Sequence, residues 1–251
     1  MKKLLFLLFL FIFSAKSFAT AQVPDYLIVG KDTMQIHSNP LEGYFKEHPI
    51  KYKEGEVISG SSANWRGYVA FFKFENDKLV VENIYKENYE SNKPYFSRLV
   101  SMYKDVFGDA KNFPCDFYSG LLICPYGKML QYVHMAYGSV YEYYRLFEIN
   151  NGVLSKTKDF MNDEYYQFKR DYFKYFKTTE EYKKQADEMR QILADSNKDF
   201  DKMFADDKSR KKENKYLKQK EAEYRTEKQL EQFMFMMSSD YIKTIDIPNK
   251  Q

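Results

Sequence analysis

Few side chains in this 251-residue chain suit proton or group transfer near neutral pH: three histidines, His37, His48 and His134, and two cysteines, Cys115 and Cys124. A cysteine thiolate with a histidine base would be a nucleophile pair, and His134 is the histidine nearest in sequence to either thiol. The same residues also read as a core histidine and a pair of structural cysteines. The cysteines lack zinc spacing and no His-Glu-x-x-His is present, so no metal centre and no cofactor are expected. Nor is there a Gly-x-Ser-x-Gly elbow or a phosphate-binding Gly-x-x-x-x-Gly-Lys loop. Carboxylates such as Glu142 suit glycoside hydrolysis if two of them face each other. With 36 acidic residues, however, such pairs arise cheaply.

The elements that must position these residues fall into two parts. All ten glycines lie between Gly30 and Gly152, and six of the seven prolines lie at or before Pro125. Gly and Pro punctuate turns, so the chain divides near residues 159–162 into a turn-rich first part and a second part able to run as helices. In the first part, apolar runs flank Gly30-Lys31, Asn76-Asp77 and Asn151-Gly152, and the last of these is a strong hairpin signal. Residues 117–124 and 128–135 are read as a further hairpin around Pro125-Tyr126-Gly127. The expected fold is therefore α+β: a mostly meandering antiparallel sheet over residues 22–159, then a long charged helical region over 160–239 and a tail over 240–251. One helix is expected inside the sheet domain at 94–107, where Phe96, Leu99, Val100, Tyr103 and Phe107 recur at helical spacing and Gly108 can end it.

In the helical region, Tyr182, Ala186, Met189 and Leu193 form one stripe, and Thr178 with Glu181 suits an N-terminal cap. Residues 208–231 are densely charged with both signs, and Phe233-Met234-Phe235-Met236-Met237 follows. Methionine adapts to irregular surfaces, so this end is read as a docking point, either for the chain itself or for a protein partner.

Lys2 and Lys3, the ten apolar residues Leu4–Phe13 and the small residues Ala19-Thr20-Ala21 have the order of a secretory signal peptide cleaved before Gln22. The apolar run is about half the ~20 residues that span a bilayer, so no membrane span is expected there. The expected location is periplasmic or secreted. Taking Lys2, Lys3 and Lys16 from the 39 basic residues leaves 36, equal to the acidic count. A balanced chain lacks the field that attracts nucleic acid, and none is expected as a partner. After export, Cys115 and Cys124 would meet oxidising conditions. A continuous strand between them would hold them on the order of 30 Å apart, against a limit of ~7 Å, so a disulfide requires a turn near Ser119-Gly120. A disulfide and two buried free thiols both remain open at this point.

Trp65-Arg66-Gly67-Tyr68, Tyr118-Ser119-Gly120, Tyr132-Val133-His134-Met135 and Gly138-Ser139-Val140-Tyr141-Glu142 together resemble a group of small exported bacterial proteins of unknown function, over residues 24–159. The resemblance implies a shared β-rich domain in the envelope and no activity. It marks Trp65, Arg66, Tyr68, His134 and Glu142 as binding candidates; Trp65, the sole tryptophan, is read as a core anchor in preference to a pocket wall. The leading expectation is an exported interaction protein without catalysis, one form of which is an immunity-type protein against an exported toxin. The alternative is an envelope hydrolase or carbohydrate-binding module with Trp65, tyrosines and paired carboxylates in one cleft.

Overall fold

The computed structural model describes residues 21–51, 62–87, 98–203, 227–237 and 241–248. The expected leader up to residue 20, Pro94 and the charged stretch 208–226 lie outside them. The chain forms two compact units, one up to Asn162 and one from Asp163. No helix among the described residues is long and apolar enough to cross a membrane.

The first unit is α+β with a mixed, mostly antiparallel nine-stranded sheet. Its strands are β1 (Asp25–Val29), β2 (Asp32–Ile36), β3 (Val69–Glu75), β4 (Lys78–Glu87), β5 (Leu99–Ser101), β6 (Phe113–Pro114), β7 (Gly120–Gln131), β8 (Val140–Asn150) and β9 (Val153–Met161). Three hairpins stand where the turn residues place them. Asn76 and Asp77 (φ 49° and 62°) and Asn151 and Gly152 (φ 45° and 75°) adopt the two positive φ values of a tight hairpin turn. Gly152 also has no alternative on steric grounds, since a Cβ there would lie 2.9 Å from the Cys115 carbonyl.

The main strand order is β2-β1-β3-β4-β9-β8-β7. All of these pairings are antiparallel except β1 with β3. The parallel pair is reached through β2, which carries the chain back beside β1, followed by residues 37–68, which carry helix α1 (Glu42–Glu47). The join between β4 and β9 is narrow, with Lys78 opposite Val153 and the Leu79 amide donating to Gly152 at 2.7 Å. At the other end β2 lies against β7, and the His37 amide donates to the Ile123 carbonyl at 2.7 Å. The sheet thus curls on itself around a core that includes Leu27, Phe72, Leu79, Leu122, Phe147 and Ile149.

Two expected elements differ. Residues 99–101 form a strand, not part of a helix: Leu99, Val100 and Ser101 pair with Glu87, Lys86 and Tyr85, and helix α2 begins only at Tyr103 and ends at Phe107. Pairing with the long strand β4 outweighs helical spacing over so short a stretch. The expected hairpin at Pro125-Tyr126-Gly127 is instead continuous strand. Pro125 sits opposite Tyr144 near the outer end of the sheet, where a missing N–H is tolerated, and Gly127 (φ 77°) absorbs a bulge.

The second unit contains α3 (Asn162–Phe176, whose first residue belongs to the first unit), α4 (Glu180–Met203) and α5 (Glu227–Met236). In α3, Tyr165, Phe168, Tyr172, Phe173 and Phe176 are buried at helical spacing. Thr179, one residue after the expected cap, accepts from the Tyr182 amide at 3.1 Å and caps α4. Residues 241–245 are no free tail. The Tyr241 ring stacks on Phe176 with centroids 4.2 Å apart, and Ile242 and Ile245 are buried.

Candidate functional site

The turn at Asn64–Gly67 carries Trp65 outward and Arg66 inward. Trp65 is 59% exposed, so it is not the core anchor expected of it; its neighbours Arg66 and Tyr68 hold the interior positions. Arg66 Nη1 donates to Asp25 Oδ2 at 2.7 Å with both side chains fully buried. Its Nη2 donates to the Val23 carbonyl at 2.8 Å, while Asp25 Oδ1 accepts from the Ala70 amide at 2.8 Å. The guanidinium lies 4.9 Å from the centre of the Tyr68 ring, and the Tyr68 hydroxyl donates to Glu42 at 2.8 Å. Strand β1, the turn and α1 are thereby tied together by one cation. Burial raises the Asp25 carboxyl, against the pull of Arg66 and the Ala70 amide, and burial likewise pushes the Tyr68 phenol well up.

The other candidates lie elsewhere. His134 is exposed on the segment after β7, its ring edge-on to Tyr132 at 4.7 Å. Glu142 accepts from the Lys128 amide at 3.3 Å, beside the β7 bulge. Arg66 is engaged inside the unit by Asp25, the Val23 carbonyl and the Tyr68 ring. Cys115 and Cys124 are both buried free thiols. Burial pushes Cys115 up to about 12 and Cys124 higher still, which leaves neither as a ready thiolate at neutral pH.

The second unit provides a concave site. A pocket of about 240 Å³ opens between α4 and α5, lined by Gln185, Glu188, Met189, Phe233, Met234, Met237 and Tyr241. Of the lining residues, Met234 and Tyr241 are buried, whereas Phe233 and Met237 are exposed. The lining is flexible, polarizable and apolar, with one amide and one carboxylate from α4. Its volume suits one large apolar side chain better than a whole small-molecule ligand.

One functional-type residue was not anticipated. Lys169, on the inner face of α3, is 9% exposed and lies 5.0, 5.4 and 5.8 Å from the ring centres of Phe235, Tyr166 and Tyr165. Burial lowers its ammonium to about 8. The signal was readable, since Lys169 falls on the same apolar stripe as Tyr165, Phe168, Tyr172 and Phe173. Asp25, the partner of Arg66, carried no comparable local sign. Comparison with protein-family models, with curated proteins and with solved structures gives no match in any of the three.

Proposed function

We propose that this chain is an exported interaction protein of the cell envelope, without catalysis of its own, that holds a protein partner through its helical unit. The observation that carries this reading is the methionine-lined pocket between α4 and α5, with exposed Phe233 and Met237 in its lining. An adaptable apolar pocket sized for one side chain is how a protein surface receives an anchor residue. Export is supported by the basic, apolar and small-residue order of residues 2–21. The hydrolase alternative draws no comparable support, because Arg66 is consumed by framework contacts with Asp25, the Val23 carbonyl and the Tyr68 ring.

The test is cross-linking and affinity capture from the native envelope with the exported chain and with a Phe233→Asp/Met237→Asp double variant. Both positions are exposed, so the variant keeps its fold as judged by circular dichroism. One stoichiometric protein captured by the parent and lost by the variant supports the reading, and an exported toxin as that protein would establish the immunity form. Equal capture by both, or a partner retained after the helical unit is blocked, overturns the pocket as the docking point.

A further inference from the structure

We infer that the pocket between α4 and α5 also binds one soft monovalent cation, Cu(I) or Ag(I), through the thioethers of Met189, Met234 and Met237. The inference uses the pocket on which the partner reading rests but does not need the partner. Three of the seven residues that line this space of about 240 Å³ are methionines. Met189 comes from α4, Met234 from α5 and Met237 from the residue just beyond it. The Met237 amide donates to the Phe233 carbonyl at 3.2 Å, which continues the helical turn past the end of α5. Met234 and Met237 therefore stand three residues apart on one helical face, the spacing at which side chains become neighbours. Met189 completes the set from the other helix.

The donor set selects the ion. A thioether is soft and neutral and carries no proton, which suits Cu(I) and its analogue Ag(I), whereas Mg²⁺ and Ca²⁺ take oxygen ligands. Zinc is held by thiolate, imidazole and carboxylate. No thiol or imidazole lines the pocket, and no group of three or more His, Cys, Asp or Glu that could hold a metal occurs among the described residues. The expectation of no metal centre concerned Cys and His sites, and a thioether site is of a different kind. Glu188, the one carboxylate in the lining, is held only loosely by Lys184 at 3.9 Å and can offset a single positive charge. Phe233 and Tyr241 add aromatic rings, whose faces attract cations. Of the three methionines, Met234 is buried, Met189 half-buried and Met237 exposed, so one ligand is held dry and one is reachable from solvent. In an oxidising compartment thioethers also escape the disulfide formation that consumes thiols, which fits an exported site.

The experiment is calorimetric titration and native mass spectrometry of the exported chain with Ag(I) in chloride-free buffer, and with Cu(I) under ascorbate and argon. The expected result is one ion per chain. Met234→Leu/Met237→Leu removes two sulfurs while conserving volume and apolar character, and circular dichroism checks its fold. It should weaken binding by more than ~10-fold, the lower end of what loss of even an outer-shell partner costs a metal site. Met236→Leu changes an exposed methionine next to these that does not line the pocket, and it should leave binding unchanged. Affinity should stay flat from about pH 6 to 8, where an imidazole site would weaken toward the acid end. No binding, several ions per chain, an affinity that falls with acid, or equal losses in Met236→Leu and the double variant would overturn the inference. So would Zn²⁺ bound as tightly as Ag(I), which would assign the ion to Glu188. The two readings of the pocket fail separately. A chain that captures a protein from the envelope but takes no ion defeats the cation site alone, and one that takes the ion but captures nothing defeats the partner alone.

Discussion

Each unit of the molecule buries one cation among its described residues, and the two handle it in opposite ways. Arg66 in the sheet unit meets a carboxylate, a carbonyl and an aromatic face, and stays charged. Lys169 in the helical unit meets rings alone, with no carboxylate or hydrogen-bond acceptor among the described residues, and burial lowers it to about 8. The guanidinium's planar fork can hold several directional partners at once, which makes Arg66 a fixed node of the framework. The ammonium can be relieved by releasing its proton, so Lys169 leaves its surroundings free to adjust. This division matches the proposed roles, with a rigid sheet unit and a helical unit whose methionine pocket adapts to a partner.

The sharpest way to break this comparison is to remove the carboxylate. Asp25→Ala leaves Arg66 buried and unpaired and is expected to cost about 3–5 kcal/mol in urea unfolding of the full chain. Adding Arg66→Met should recover much of the loss, because the stranded charge goes with it; a double variant as unstable as the sum of the singles would show that the two residues do not act as a pair.

For Lys169 the test is pH. The unfolded ammonium keeps its proton to ~10.4, whereas the folded one gives it up near 8, so between these values the unfolded state binds more protons and stability must rise with pH, by on the order of 3 kcal/mol across the window. Lys169→Met should abolish that rise relative to wild type and be neutral or stabilising at pH 7. A Lys169→Met protein with the same pH profile would mean that the ammonium is solvated in the folded state. A smaller effect is expected at the edge of the Arg66 node, where Tyr68→Phe removes one hydrogen bond to Glu42 and should cost about 1–2 kcal/mol.

The parts legible in the sequence were those decided by local chemistry. Asn76-Asp77 and Asn151-Gly152 each announce a hairpin because few residues accept two successive positive φ values, and the strands follow from them. Pro125-Tyr126-Gly127 carries the same punctuation but is overruled. Its meaning depends on lying near the outer end of the sheet, which only the assembled strand order reveals. Residues 99–101 fail in the same way, since their partner is supplied by β4. Among the site candidates, spacing distinguished the rare Trp65 from its neighbours but not which of them turns inward. Arg66 became a buried node because Asp25, 41 residues earlier, lies within reach of it, and a contact at that separation leaves no local trace.

The exposed pair Arg145–Asp159 sharpens the comparison from the other side. Its geometry is as good as that of Arg66–Asp25, bidentate at 2.7 and 2.9 Å, and Arg145 also lies over the Tyr126 ring at 5.5 Å. What differs is solvent, since the two side chains are 36% and 49% exposed. Arg145 holds the Asp159 carboxyl below its usual range, so the pair's contribution is present above the unfolded carboxylate value of ~3.9 and is lost as pH falls through the lower folded value. Water and salt screen the charges, and Asp159→Asn should cost only about 0.2–1 kcal/mol, shrinking further at high ionic strength. Arg145→Ala should cost somewhat more, because it also removes the contact with the Tyr126 ring. If Asp159→Asn proved as damaging as Asp25→Ala, hydrogen-bond geometry would set the worth of these pairs; the expected gap between them assigns it to burial.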